Sequence, residues 1–69
     1  MRVKKHPRDI RKGNLVAFIA GSKTFEVTFT RKLRGAWAGW YKIQYKQPEV
    51  PGGIAEQTVR ASEELEVES

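Results

Sequence analysis

Residues 24–34 read TFEVTFTRKLR. Phe25, Val27, Phe29 and Leu33 take the odd positions, while Thr24, Glu26, Thr28, Thr30, Lys32 and Arg34 take the even ones. Successive side chains of an extended chain point to opposite faces, so this alternation specifies a long strand with one face inward and one in water. Only Arg31 breaks the odd series. It marks where the strand outruns the core or bends across a barrel corner.

The same period governs WYKIQYK, residues 40–46. Tyr41, Ile43 and Tyr45 go one way, and Trp40, Lys42, Gln44 and Lys46 go the other. If the tyrosines and Ile43 fill the core, a tryptophan is left on the wet face among lysines, which is more informative than a buried one. Between these two strands GAWAG makes a turn. Upstream, GNLVAFIAG is a short apolar run between glycines, as expected of a strand buried on both faces. The following Gly21-Ser22 has glycine at the first central position of a two-residue type II′ hairpin. Downstream, QPEVPGG reads as a loop. The segment IAEQTVRASEELEVE admits two readings. Ile54, Thr58, Ala61 and Leu65 form a helical stripe, whereas Thr58-Val59 and the Glu66-Val67-Glu68 alternation favour two strands about a turn at ASEEL. The strand reading is preferred, which gives five strands.

At 69 residues the chain has room for one core and buries only about 60% of its unfolded surface. With no cysteine, disulfides and cysteine-based zinc sites are excluded, and the lone His6 has no partners for a metal site. The core therefore draws on seven aromatics (Phe18, Phe25, Phe29, Trp37, Trp40, Tyr41 and Tyr45) and a few aliphatics. No apolar run approaches the roughly 20 residues of a membrane span. The basic start MRVKKHPRDIRKG lacks the apolar stretch of a signal peptide, so a cytoplasmic protein is expected, nucleoid-associated or, in a eukaryote, nuclear. Residues 1–11 are rich in cations and poor in apolar groups, and are expected to be a flexible basic arm preceding a domain at 12–69.

Charge is unevenly distributed. Residues 1–46 carry twelve Lys or Arg against Asp9 and Glu26, a net +10, whereas residues 47–69 carry Arg60 against six glutamates, a net −5. A basic end of this kind suggests a polyanionic partner. The stretch TRKLRGAWAGWYK gathers four cations and three large aromatics. On a two-stranded outer face, Thr30, Lys32 and Arg34 would stand beside Lys42, Gln44 and Lys46, about 5 Å apart, with Trp40 between the rows and Trp37 at the tip. Cations of this kind neutralise phosphates and an exposed indole stacks on a base or wedges into a groove. The candidate nucleic-acid-binding residues are Lys4, Lys5, Arg8, Arg11 and Lys12 in the arm, and Arg31, Lys32, Arg34, Trp37, Trp40, Lys42 and Lys46 in the hairpin. The opposing possibility is that both indoles close the end of a barrel and the cations are ordinary edge charges.

Short strands with tight turns, the second one long and bent, fit a small five-stranded SH3-like β-barrel. Within residues 12–67, KGNLVAFIAG, RGAW and GWYKIQYKQPEVPGGIAEQTVRASEELEV resemble the strands and turns of Tudor and plant Agenet domains. That resemblance implies an SH3-like barrel used for binding, either of methylated Lys or Arg in an aromatic cage or of nucleic acid. Family cages take an aromatic from the first strand–strand loop, which here reads AGSK, and Arg31, Lys32, Arg34 and Lys42 would repel a cationic ligand. GAWAGWY is also similar to the plasmid-encoded type II dihydrofolate reductases, whose active-site strand is Val-Gln-Ile-Tyr; the corresponding strand here is EQTV.

A nucleophile–base–orienter set needs groups that this chain does not offer: it has no Cys, and its one His lies in the arm. PGG and AGS are too short to cradle a phosphate and precede no helix. The expectation is a non-enzymatic protein without cofactor or metal, binding DNA or RNA as a monomer or homodimer, and not a membrane. The alternative is a protein-interaction module, either a Tudor-like reader or a small accessory subunit of a larger complex.

Overall fold

The computed structural model describes residues 1–68. They form six strands: β1 (Arg2–Lys5), β2 (Leu15–Ala17), β3 (Phe25–Lys32), β4 (Trp40–Lys46), β5 (Ile54–Arg60) and β6 (Leu65–Glu68). Three short 3₁₀ turns, Pro7–Asp9, Gly35–Trp37 and Pro51–Gly53, are the only helical pieces among these residues. All pairings are antiparallel, in the order β1-β6-β2-β3-β4-β5. The architecture is all-β, as the period-2 patterns require. The helical reading of residues 54–68 gives way to β5, a turn and β6, as preferred.

Two expectations are corrected. The sheet is not closed: β1 and β5 are its edges, and no ladder joins them. There are also six strands, because the segment expected to be a free arm supplies β1. Its strand pairs with β6 from Arg2↔Glu68 to Lys5↔Leu65. The Arg2 guanidinium reaches Glu66 at 3.0 Å and Glu68 at 3.3 Å. The basic start of the chain is thus matched to its acidic end, and the charge division along the sequence does not persist in space. Beyond β1, Pro7 is buried and Ile10 is 0% exposed within the core cluster. Two apolar anchors and a ladder offset the ordering entropy that composition alone suggested would keep this segment loose.

The core is built from Ile10, Val16, Val27, Ile43, Val59, Leu65 and Val67, with Phe18 and Tyr41 packed against it. On β4 the inward parity is as the alternation implies, with Ile43 and Tyr45 buried. The first hairpin is longer than a two-residue turn. β2 stops at Ala17, and Phe18 leaves the strand to pack its ring 4.7 Å from Tyr45 and 6.3 Å from Phe25. The chain then turns through Ile19–Ser22, closed by the Ser22 N–H donating to the Ile19 carbonyl at 3.0 Å. Gly21, at φ +79°, occupies the third position of this turn, where a type II geometry needs positive φ.

The register of β3 holds the main surprise. Val27 faces Tyr45, but the next pairs are Phe29↔Gln44, Thr30↔Ile43, Arg31↔Lys42 and Lys32↔Tyr41. One extra residue, at Thr28, is inserted between Val27 and Phe29. A bulge of this kind exchanges the two faces of everything beyond it. Phe29, expected inside, is 46% exposed.

Candidate nucleic-acid interface

Directly opposed residues of antiparallel strands share a face, so the register defines the outer surface of β3, β4 and β5. Phe29, Gln44 and Glu56 form one row, and Arg31, Lys42 and Thr58 the next. In the third row the Leu33 N–H donates to the Trp40 carbonyl at 3.0 Å, and Trp40 opposes Arg60. Trp40 does lie on the face opposite Tyr41, Ile43 and Tyr45, with Lys42 beside it. The neighbour from β3, however, is Arg31 and not Lys32, because of the bulge. Lys32 opposes Tyr41 and reaches solvent at the strand's end, with Arg34 two residues beyond it.

The indoles are arranged by the β3–β4 connection. Gly35, at φ +67°, opens the 3₁₀ turn that carries Trp37, and Gly39, at φ +87°, follows it. The Ala61 N–H donates to the Gly39 carbonyl at 2.8 Å and ties this loop to the end of β5. Trp37 and Trp40 meet nearly perpendicularly, their ring centroids 5.6 Å apart and their planes at 84°. The Arg60 guanidinium lies over the Trp40 ring at 5.0 Å, a cation–π contact. Trp40 is consequently half-buried, whereas Trp37 is 55% exposed and, among the described residues, carries no cation over its ring. Arg31, Lys32, Leu33, Arg34 and Trp37 together line an open depression of about 520 Å³. No carboxylate lies in that lining, and among the described residues Arg31, Lys32, Arg34 and Arg60 make no ion pair.

The remaining candidates are less concentrated. Lys42 pairs with Glu56 at 3.7 Å and Lys46 with Glu26 at 3.4 Å, so both carry part of their charge in local pairs. Lys4 and Lys5 sit on β1, separated from β4 in the sheet by β6, β2 and β3. Lys4 opposes Glu66, and Lys5 opposes Leu65. Arg8 is exposed and 3.9 Å from Asp9. Arg11 directs its guanidinium to the carbonyls of Arg8 and Ile10, while its backbone N–H donates to the Asn14 side chain at 2.8 Å. Lys12 is exposed next to Gly13, whose N–H donates to the Val27 carbonyl at 2.8 Å near the bulge. Arg31, Lys32, Arg34 and Trp37 are thus brought together, with Trp40 and Lys42 alongside; the N-terminal cations are spread over other strands.

The acidic groups serve the fold. The Glu66 carboxylate accepts the Gly21 N–H at 3.0 Å and then faces Arg2, and these contacts, in that order, hold its pKa below the usual glutamate range. Glu49, which accepts a backbone hydrogen bond and pairs with Lys23 at 3.4 Å, is likewise lowered.

Two residues escaped the sequence reading. Arg60 was hidden in an acidic third of the chain, but an antiparallel β4–β5 hairpin across QPEVPGG brings it opposite Trp40. Phe18 belongs to the apolar run GNLVAFIAG, whose pattern predicts a strand, but β2 ends at Ala17 and Phe18 is an aromatic of the first loop. With Phe25, Tyr45, Gln47 and Gln57 it lines a second depression of about 450 Å³, in which the Lys23 ammonium lies 5.1 Å from the Phe25 ring centroid. Comparison with known protein families, with curated proteins and with solved structures finds no match to this chain.

Proposed function

We propose that this chain is a non-enzymatic nucleic-acid-binding protein that grips the phosphate backbone through the outer surface of its β3–β4 hairpin. One observation carries the reading. Arg31, Lys32 and Arg34 line a depression with Trp37, Arg60 lies over the adjoining Trp40, and none of the four is neutralised by a carboxylate among the described residues. Holding four like charges together costs self-repulsion, which a polyanion relieves. Lys42 contributes at the rim, and Lys12 with the N-terminal cations adds diffuse attraction. Contacts of this kind fix a protein on phosphate without reading base sequence. The chain works as a monomer or homodimer, without cofactor, in the cytoplasm or wherever its nucleic acid is packaged.

The salt dependence of binding tests this. If the four unpaired cations each neutralise one phosphate, log K falls with log salt at a slope of about −3.6 on duplex DNA and about −2.8 on a single strand. A salt-insensitive affinity would refute the reading.

The second reading, a protein-interaction module of Tudor/Agenet type on an open SH3-like sheet, is favoured by the Phe18–Phe25–Tyr45 ring cluster. Those rings already hold Lys23 over one of their faces, as an aromatic cage holds a ligand cation. Titration with a methyl-lysine peptide separates the two. On the cage reading Phe18→Ala abolishes the response and Arg34→Ala leaves it, and on the nucleic-acid reading the same variants act the other way on oligonucleotide binding.

A further inference from the structure

We propose that the depression beside Trp37 is a pocket for an unpaired nucleobase, so that the preferred ligand is single-stranded. The inference rests on the nucleic-acid reading above and goes beyond it, since phosphate contact alone needs no concavity. The lining is mixed in a way that suits a nucleotide. Leu33 and the Trp37 indole supply apolar surface, while Arg31, Lys32 and Arg34 stand around it for the flanking phosphates. Its volume of about 520 Å³ is ample for a base with its sugar.

The two indoles have different duties. Trp40 already carries Arg60 over its ring at 5.0 Å and meets Trp37 at 84°, so it buttresses the neighbouring indole. Trp37 keeps 55% of its surface in solvent. Its turn is fixed by the Trp37 N–H donating to the Arg34 carbonyl at 3.3 Å and the Ala38 N–H donating to the Gly35 carbonyl at 3.1 Å. A held, exposed indole is a stacking platform with little ordering entropy left to lose. Bases in a duplex are stacked on each other and present no free face to such a platform. An unpaired base does, whether its sugar is deoxyribose or ribose.

The test is fluorescence anisotropy with the intact chain at one fixed salt concentration. The probes are labelled strands of about ten nucleotides, within the span of a small single-strand site: oligothymidylate, oligouridylate, an abasic strand with the same phosphates, and a duplex of equal length. At least one of the two base-bearing strands should bind about 5- to 150-fold more tightly than the abasic strand, the range expected for stacking one base. The ratio of the two then identifies the sugar preferred. Trp37→Ala should erase that margin while leaving abasic binding in place, and Trp37→Phe should restore most of it. A circular dichroism spectrum unchanged in Trp37→Ala rules out misfolding as the cause. Equal binding of base-bearing and abasic strands, or tighter binding of the duplex, overturns the base pocket but leaves phosphate-directed binding standing. Failure of every probe to bind overturns both.

Discussion

Ile10 lies in a segment whose composition suggested a loose arm, yet it is 0% exposed and belongs to the core cluster. Truncating it to alanine removes three carbons from a packed interior. At about 0.8 kcal/mol per buried methylene the transfer loss is about 2.4 kcal/mol, and the residual cavity raises the total into the range of about 2–5 kcal/mol. A 69-residue domain is stable by about 3–10 kcal/mol in all, at the usual 0.05–0.15 kcal/mol per residue. A loss of about 3 kcal/mol is therefore a large share of what holds this fold together. It corresponds to a fall in Tm of about 12–24 °C for a domain of this size. Urea unfolding followed by tryptophan fluorescence and by circular dichroism measures it. Ile10→Val, at a cost of about 0.5–1.5 kcal/mol, keeps the comparison measurable should the alanine variant be mostly unfolded. Ile19→Ala is the matched control. Its side chain is 73% exposed, and its effect should stay within about 0.5 kcal/mol. If Ile10→Ala matches that control, the N-terminal segment is not part of the core and Ile10 does not anchor β1.

Four further outcomes are expected. Trp37→Ala should cost about 0.5–1.5 kcal/mol for the lost ring pair with Trp40, plus the transfer loss of the covered part of an indole that is 55% exposed. Trp40→Ala loses that pair and the Arg60 contact and should cost about 1–2.5 kcal/mol in a denaturant titration. Gly39→Ala should cost about 1–3 kcal/mol in the same assay: a Cβ there meets nothing within 4 Å, so the whole penalty comes from φ +87°. The carboxyl of Glu66 has a folded-state pKa below its unfolded value, so its contribution is fully present above the ordinary glutamate pKa of about 4.3 and is lost as pH falls through the depressed value. Glu66→Gln should therefore lower stability at neutral pH and flatten the decline on the acid side, as read from Tm between about pH 7 and pH 2.

How much of this was legible differs from strand to strand. β4 was legible in full, because Tyr41, Ile43 and Tyr45 against Trp40, Lys42, Gln44 and Lys46 leave only one face for the core, and Ile43 and Tyr45 are buried there. β5 and β6 were legible as strands because their β-branched residues outweighed a loose helical spacing. β1 was not legible. Its stability comes from Glu66 and Glu68, more than sixty residues away, and from Pro7 and Ile10, which a composition-based reading dilutes among cations. Arg60 was missed for a related reason. Its importance lies in a cross-strand partner, Trp40, which the local sequence does not contain.

β3 shows why a regular pattern can still mislead. The odd-position series from Phe25 to Leu33 was read as one uninterrupted face, with Arg31 the exception. The chain instead slips by one residue at Thr28, and Arg31 was the sign of the slip, appearing after it. Without the bulge, Arg31 would keep the parity of Val27 and turn toward the interior of the sheet, where a buried guanidinium has no carboxylate to meet. Lys32 would then stand in the outer rows. With it, Arg31 is placed opposite Lys42 and joins Leu33, Arg34 and Trp37 around the depression. The exchange leaves Phe29 46% exposed, an apolar cost. A cost accepted on the same face as a cluster of unpaired cations is what a binding surface requires, and an apolar ring in the next row gives a ligand one more surface to cover. The parity set at the bulge is therefore what the proposed interface depends on. Deleting Thr28 removes the extra residue but not the parity it sets, because Phe29 then follows Val27 directly and Phe29 and Arg31 keep their places opposite Gln44 and Lys42. The variant should therefore retain oligonucleotide binding, and loss of binding in a folded variant would refute this assignment of the outer rows.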